Sequence, residues 1–305
     1  MGAADVVPGV SGGTIAFISG IYQELIDSIN KIDIKTILSV RKNGIKATWA
    51  ALNGNFLLAL ISGIFISILT FSKVITYLLD NHPILVWSFF FGLVLASILL
   101  IWKQITHWKY YSLLALLLGT FVSYYITIAK PVASPDSLPY LFLSGFVAII
   151  AMILPGVSGA FILLLMGSYQ TVIGTINQFR EGIASFNMEI LGQAMIKLMT
   201  FAVGAILGLK LFSKILHWMF AHHKNTTLAV LIGFMIGSLN KIWPWKQVLE
   251  TRLNSHGEVV PFLEKSILPL HFEGNPQITG AIIMVFFGFI LIVGLEKIAA
   301  KLGKN

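Results

Sequence analysis

The pentapeptide PGVSG occurs twice in the chain, at residues 8–12 and 155–159, and both copies lie within apolar sequence. Proline removes a backbone N–H and disfavours helix in the residue before it, while glycine weakens a helix and lets other groups approach the main chain. Each copy therefore predicts a broken helix. The half-helix after such a break presents unpaired N–H groups and the positive end of its dipole, and Ser11 or Ser158 adds a hydroxyl near the N-cap. This chemistry suits an anion such as a phosphate or a carboxylate.

Two sets of residues around the motifs are candidates for such a site. The residues predicted to bind phosphate directly are Gly9, Ser11, Gly12, Gly13, Thr14, Gly156, Ser158 and Gly159. The residues predicted to support binding or ion coupling are Asp5, Tyr22, Gln23, Tyr169, Gln170 and Lys210. The alternative explanation is packing, because glycine and proline are commoner in membrane helices than in soluble ones. Repetition argues against packing alone, since residues 8–30 and 155–177 are identical at 12 of 23 aligned positions, a tyrosine and a glutamine included.

The ionisable candidates each have a simpler explanation as well. Asp5 precedes the first motif where Met152 precedes the second, so it is a candidate to carry a coupling proton, but an N-cap or a solvated chain end explains it equally well. Lys210 lies in an apolar segment and is a candidate to neutralise phosphate, although a lysine near a helix end usually extends to the interface. The adjacent His222 and His223 are expected in a solvated loop, because two histidines without a third ligand make no zinc site. No cluster of cationic side chains is expected near either motif.

Composition places the chain in a membrane. Of 305 residues, 56% are apolar and only 11% are charged, whereas soluble proteins carry about a quarter charged residues. The formal net charge of +8 does not indicate nucleic acid, because the basic residues lie mainly between apolar segments, where they set topology and meet anionic headgroups. The chain has no cysteine, which excludes a disulfide, a thiolate metal site and a cysteine nucleophile. We expect neither a metal nor a cofactor.

The repetition extends beyond the motifs. Residues 71–73 match residues 212–214, and His82 and His223 follow at the same offset. Internal repeats of this length indicate a duplicated architecture.

The repeats predict a division of the chain into two membrane units. Residues 1–130 are assigned to the first unit and residues 131–305 to the second, which carries a polar insert at 243–277 that we expect to form an external flap. The second motif follows an apolar lead-in at 138–154 that the first motif lacks. A further helix is therefore expected before Ala3.

The topology of the motif segments has two solutions. If each segment enters and leaves the membrane on one side, a repeat has three full crossings and the second repeat is inverted relative to the first. If each segment crosses, a repeat has four crossings and the repeats are parallel. The distribution of Lys and Arg outside the insert favours the first solution. The predicted crossing segments are 56–72, 84–102, 110–129, 194–212, 228–239 and 278–295, with one helix running from each motif to residue 29 or 176.

The expected fold is therefore an all-α polytopic membrane protein built from two inverted repeats. Each repeat consists of a re-entrant broken-helix hairpin followed by three transmembrane helices. Broken helices of inverted repeats commonly meet near the middle of the bilayer and bind substrate between the repeats. The two motif copies are expected to lie within reach of one phosphate group there.

The residues around the first motif resemble a known family signature. ADVVPGVSGGTIA at residues 4–16, followed by GIY at 20–22, is similar to the signature of a bacterial membrane family that was formerly described as a domain of unknown function and is associated with polyprenyl-phosphate translocation. The resemblance covers nearly the whole chain, although family members usually carry a helix before the signature. It implies a transporter, and not an enzyme, that returns undecaprenyl phosphate from the outer to the inner leaflet of the bacterial cytoplasmic membrane for reuse in cell-wall synthesis. The implied partners are the lipid and the bilayer, with a proton or a sodium ion as the candidate coupling ion.

Two other functions compete with this implication. A small-anion channel or exchanger also aims the N-termini of broken helices at its ion, but it predicts a closed vestibule where a lipid substrate predicts a lateral cleft. A membrane enzyme such as a lipid phosphatase needs a nucleophile or base beside several cationic groups. The sequence places no such group beside either motif.

Overall fold

The structure is a computed structural model that describes residues 1–2, 11–33, 36, 38–131, 135, 137–253 and 259–302. The described chain is mostly helical. The helices are α1 Gly12–Ile18, α2 Tyr22–Lys31, α3 Val40–Ala51, α4 Gly54–Asn81, α5 Pro83–Trp102, α6 Tyr110–Ile128, α7 Leu138–Ile153, α8 Gly159–Leu165, α9 Tyr169–Ala184, α10 Met188–Ser238 and α11 Ile278–Leu302. The strands are β1 Lys246–Leu253 and β2 Val259–Ser266, followed by a short 3-10 helix at Pro269–His271.

Length and hydropathy make this a multi-pass membrane protein. Among the described residues, the helices α4, α5, α6 and α10 are long and apolar enough to cross a bilayer, and the bent pair of α8 and α9 raises the number to five. Large apolar side chains cover the outer surface of α4 and α6, for example Phe65 and Phe121, which are 64% and 67% exposed. Such a surface is stable against lipid and costly against water. The prediction of a mostly helical polytopic membrane protein is confirmed.

The helix after each motif is broken, which corrects the prediction of one continuous helix from each motif. Gly20 and Gly167 occupy equivalent positions after α1 and α8, with φ angles of 75° and 67°. This left-handed conformation is accessible to glycine at little cost and ends a helix. The axes of α8 and α9 differ in direction by 107° as a result. Each half-helix that follows a motif is therefore only seven residues long.

A second pair of equivalent residues has the same backbone geometry. His82, between α4 and α5, has φ −137° and ψ 47°, and His223, within α10, has φ −136° and ψ 46°. The prediction of a loop at His222 and His223 is therefore wrong, because α10 continues through this point with a kink at one exposed residue. The repeated kink extends the similarity between the two halves of the chain from sequence to conformation.

Each half of the chain packs its last helix against the other half. The helix α6 lies on the C-terminal part of α10, where a side chain on Gly233 would overlap the Leu116 carbonyl oxygen. The helix α11 lies on α5, where a side chain on Gly92 would overlap the Val285 carbonyl oxygen. Gly92 and Gly233 are equivalent in the repeat, so the same close contact interlocks the halves twice. Small residues permit such close approach of membrane helices.

The helix α7 covers a glycine of α10 whose counterpart in α4 has no described neighbour. The helix α7 lies against α10 so closely that a side chain on Gly204 would overlap the Phe142 carbonyl oxygen. The equivalent residue in α4 is Gly63, and no described atom lies within 4 Å of the position that its side chain would take. This face of α4 is open at Gly63, whereas Gly2 packs on the next residue, because a side chain on Gly2 would overlap the Ile64 carbonyl oxygen.

The polar insert contains a β-hairpin, which departs from the all-helical expectation. Strands β1 and β2 pair in antiparallel fashion. Pro261, Pro269 and Pro276 lie in this stretch, and proline cannot continue a helix interior. The indole N–H groups of Trp243 and Trp245 donate to main-chain carbonyls at 2.8 Å and fix the hairpin to the ends of the insert.

The interlocked contact predicts opposite outcomes for two Gly→Ala substitutions. Gly233→Ala should lower the free energy of unfolding by about 1–3 kcal/mol, because its methyl group has no space against α6. Gly63→Ala should leave stability unchanged or raise it by about 1 kcal/mol, because its methyl group meets open space and alanine favours helix. Thermal unfolding of both variants in one detergent measures the difference. Equal melting temperatures would show that the contact at Gly233 is not close.

Candidate functional site

The two motif copies contact each other directly. The Ser11 hydroxyl donates to the Met152 carbonyl at 3.0 Å, and the Gly156 N–H donates to the Thr14 hydroxyl at 2.9 Å. The predicted convergence of the copies is confirmed for the described part of the first copy. Gly9, and Asp5 before it, lie outside the described residues.

Tyr22 completes this contact. Its hydroxyl donates to the Ile153 carbonyl at 3.1 Å, and its side chain is only 2% exposed, between the rings of Phe17 and Phe220. Met152 and Ile153 belong to the last turn of α7, whose carbonyls have no partner within the helix. The first half of the chain therefore supplies the hydrogen bonds that the broken backbone of the second half lacks.

The glycines of the motifs make room for protein. A side chain on Gly13 would come within 2.5 Å of the Ile153 carbonyl oxygen, and one on Gly159 within 2.7 Å of the Ala148 carbonyl oxygen. Gly156 has a φ angle of 88°, and a side chain there would come within 2.6 Å of the Ser238 hydroxyl. At these three positions, the space left by the missing side chain is occupied by helices α7 and α10. Gly12 is likewise buried.

The two motif serines have different environments. Ser11 is 2% exposed, donates to Met152 and accepts the Gly13 N–H at 3.1 Å. Ser158 is half-buried, and its hydroxyl makes no hydrogen bond within the described residues. It lines a narrow cleft together with Gly156, Thr127 and Lys241. Of the two serines, Ser158 is the one that lines a cleft.

A cationic side chain lies beside the second motif, contrary to the sequence expectation. The Lys241 ammonium lies 4.7 Å from the centroid of the Phe161 ring and 3.2 Å from Oε2 of Glu264. Lys241 follows α10, far along the chain from Ser158, so only the tertiary fold brings the two together. The available signal was a lysine directly after an apolar segment and before Trp243 and Trp245, which is typical of a membrane interface.

A second lysine shares the same carboxylate. Lys246 Nζ lies 3.6 Å from Oε2 of Glu264 and 3.8 Å from the centroid of the Trp87 ring. Burial lowers the pKa of Lys246 to about 8, although the Glu264 charge acts in the opposite direction. Burial alone would raise the pKa of Glu264, but Lys246 and Lys241 together outweigh it and hold this pKa below its ordinary value. The cluster is therefore two ammonium groups around one carboxylate.

The remaining candidates lie away from the junction of the motifs. The Lys210 ammonium donates to the carbonyls of Ile29 and Asn30 at 3.3 and 2.9 Å, and thus caps the C-terminal end of α2. Gln23 and Gln170 are exposed. Tyr169 is half-buried at the start of α9. No group of three residues suited to a metal ion occurs among the described residues.

Known proteins resemble this chain over most of its length. The sequence profile of the undecaprenyl phosphate translocase-like family matches residues 1–260. The chain is 44% identical over 305 residues to a polyprenyl-phosphate transporter of Vibrio cholerae serotype O1, an alignment that covers 99% of this chain and 94% of that protein. It is 31% identical over 256 residues to a polyprenyl-phosphate transporter of Staphylococcus aureus, covering 80% of this chain and 83% of that protein. No solved structure matches the chain.

The capping role of Tyr22 predicts that its hydroxyl stabilises the fold. Tyr22→Phe should lower the free energy of unfolding by about 1–3 kcal/mol, because the buried Ile153 carbonyl loses its partner. Tyr110→Phe is the control, since Tyr110 is 79% exposed. Thermal unfolding in detergent measures both. A Tyr22→Phe variant as stable as the control would show that this hydrogen bond does not stabilise the fold.

Proposed function

The chain belongs to the undecaprenyl phosphate translocase-like family, and from that premise we propose that it moves undecaprenyl phosphate from the outer to the inner leaflet of the bacterial cytoplasmic membrane. The lipid then returns to the synthesis of envelope precursors. The role is transport and no covalent step is assigned to the protein. Both relatives named above are called polyprenyl-phosphate transporters, which supports the substrate class.

The observation that carries the proposal is the contact between the two motif copies. Ser11 and Thr14 hydrogen-bond to Met152 and Gly156, so the two breaks form a single junction. A phosphate must leave water to cross a bilayer, and it needs hydrogen-bond donors wherever it stops on the way. We assign the phosphate to the open side of this junction, where Ser158 and Lys241 line the same narrow cleft.

The motif residues then divide by role. Ser158 and the main chain around Gly159 face the headgroup, whereas the Gly156 N–H donates to Thr14. Ser11, Thr14 and Tyr22 hold the junction in shape through their contacts with the backbone of the second copy. The candidate residues Gly9, Gly12 and Gly13 remain proposed ligands from the first copy.

We also propose the inverted topology, with residues 1–130 and 131–305 as the two repeats. Contacts between helix ends support it. Asn225, after the kink in α10, accepts the Thr106 backbone N–H at 3.3 Å, and Asn240 donates to Thr127 at 2.7 Å. Three crossings per repeat put the members of each pair on the same side of the membrane. Four crossings per repeat would separate each pair by the thickness of the bilayer.

The headgroup role of Ser158 predicts a transport defect. Ser158→Ala should reduce the affinity for undecaprenyl phosphate about 10- to 100-fold, because one hydrogen bond to a charged group is lost. Leaflet exchange of labelled lipid in proteoliposomes, measured across a range of lipid concentrations, reports the change. Ser185→Ala, at an exposed serine beyond α9, is the control.

Chloride flux on the same vesicles separates the transporter from an anion channel. The proposal predicts lipid exchange by the unmodified protein and no chloride flux. Lipid exchange that is unchanged in Ser158→Ala would show that the headgroup does not bind in this cleft. Chloride flux without lipid exchange by the unmodified protein would establish a channel instead.

The inverted topology predicts the side from which single cysteines react, and the natural chain contains no cysteine that would interfere. Cysteines that replace Lys103 and Lys224 should react with a membrane-impermeant thiol reagent from the cytoplasmic side. A cysteine that replaces Lys265 should react from outside. If the cysteine at position 224 reacted from outside and the cysteine at position 103 from inside, the repeats would be parallel instead of inverted.

A further inference from the structure

The cluster of Lys241, Lys246 and Glu264 holds more positive than negative charge in a partly buried position. The side chains of the three residues are 15%, 7% and 20% exposed. One carboxylate oxygen faces both ammonium groups, so one positive charge is left without a counter-ion inside the cluster. A buried charge is costly unless it is paired and hydrogen-bonded.

Lys246 is the member whose hydrogen bonding is incomplete. Its Nζ lies 3.6 Å from Glu264, which is longer than a hydrogen bond, and it has no hydrogen-bond acceptor within the described chain. The Trp87 ring at 3.8 Å provides a cation–π contact but no acceptor atom. If the only role of Glu264 were to hold the hairpin in place, one lysine hydrogen-bonded to it would be enough, and Lys241 is that lysine. The second buried ammonium therefore indicates a larger anion.

A phosphate monoester matches the cluster better than a carboxylate does. It carries a charge of about −1.5 to −2 near neutral pH and has three acceptor oxygens. Two ammonium groups neutralise that charge, and each can donate a hydrogen bond to a separate phosphate oxygen. The carboxylate of Glu264 brings only one negative charge and shares one oxygen.

The cluster also borders two narrow clefts, which must widen to hold the headgroup and the start of its chain. Lys241 lines both the cleft of Ser158 and the second cleft. The second cleft includes Glu264 and the apolar side chains of Leu164 and Leu263. The Lys241 cation at the junction of the two clefts, with Lys246 behind it on the same carboxylate and apolar walls beyond, suits an amphiphilic anion.

We propose that Lys241 and Lys246 bind the phosphate of the lipid, and that Glu264 occupies this pair in the lipid-free protein and is displaced when the lipid binds. This inference rests on the proposed function and adds the cations that recognise the headgroup. Because Glu264 lies on β2, its displacement releases the hairpin of the polar insert. Because Leu263 and Glu264 of β2 line the second cleft, the hairpin then opens that cleft only to an anion that replaces the carboxylate.

Binding to the purified full chain in detergent tests the lysine pair. Microscale thermophoresis with undecaprenyl phosphate should show affinity lowered about 10- to 100-fold in Lys241→Gln, the loss expected for one hydrogen bond to a charged group. Lys265→Gln is the matched control, because Lys265 is the exposed lysine next to Glu264 on β2. Inorganic phosphate is measured beside the lipid, and equal affinity for both ligands would overturn the assignment to a lipid.

Removal of the occupant tests the displacement. Glu264→Gln should bind the lipid about three- to tenfold more tightly, because the lipid phosphate no longer has to displace a carboxylate from the two lysines. Glu250→Gln, at an exposed glutamate on β1, should bind like the unmodified protein. A Glu264→Gln variant that binds as weakly as the unmodified protein, or more weakly, would show that Glu264 only holds the hairpin.

Hydrogen exchange tests the same displacement without a substitution. Addition of undecaprenyl phosphate to the unmodified protein should raise deuterium uptake in β2, because the hairpin loses its ion pairs. Unchanged or lower uptake would overturn the displacement. If the unmodified protein binds no lipid, the proposed function and this inference both fail. If it binds lipid and both the Lys241→Gln and Glu264→Gln variants bind equally well, only this inference fails.

Discussion

The requirement to satisfy main-chain hydrogen bonds at a break in a membrane helix controls this structure. The last carbonyls of α7 and the N–H of Gly156 lie in an apolar surrounding without partners in their own helix. Ser11, Tyr22 and Thr14, all from the first half of the chain, provide those partners. The break in the second half therefore depends on the first half for its hydrogen bonds, so the contacts that form the candidate site also stabilise the fold.

The interlocked last helices reinforce this dependence. Because α6 lies against α10 and α11 lies against α5, each half of the chain encloses part of the other. The contacts at Gly92 and Gly233 are too close to admit a side chain, which makes the two halves a packed unit around the junction. Movement that would admit the proposed lipid is easier at the surface of this unit, where Lys241, Lys246 and Glu264 attach the hairpin, than at its centre.

Local sequence was sufficient for part of this architecture and insufficient for the rest. The repeated PGVSG motif predicted the break before α8 and the convergence of the copies, and hydropathy predicted the apolar helices around them, because proline, glycine and hydropathy act over a few residues. The turns at Gly20 and Gly167 were missed, since an isolated glycine within an apolar segment is compatible with a continuous helix. The cluster of Lys241 and Glu264 was also missed, because the fold brings it to Ser158 from a distant part of the chain.

We propose that one phosphate binds at the open side of the junction between the two motifs. A cryo-EM structure of the protein in lipid nanodiscs with bound undecaprenyl phosphate would locate it. We expect headgroup density within hydrogen-bonding distance of the Ser158 hydroxyl and the Lys241 ammonium. Headgroup density at another place in the protein, with Ser158 and Lys241 unoccupied, would contradict it.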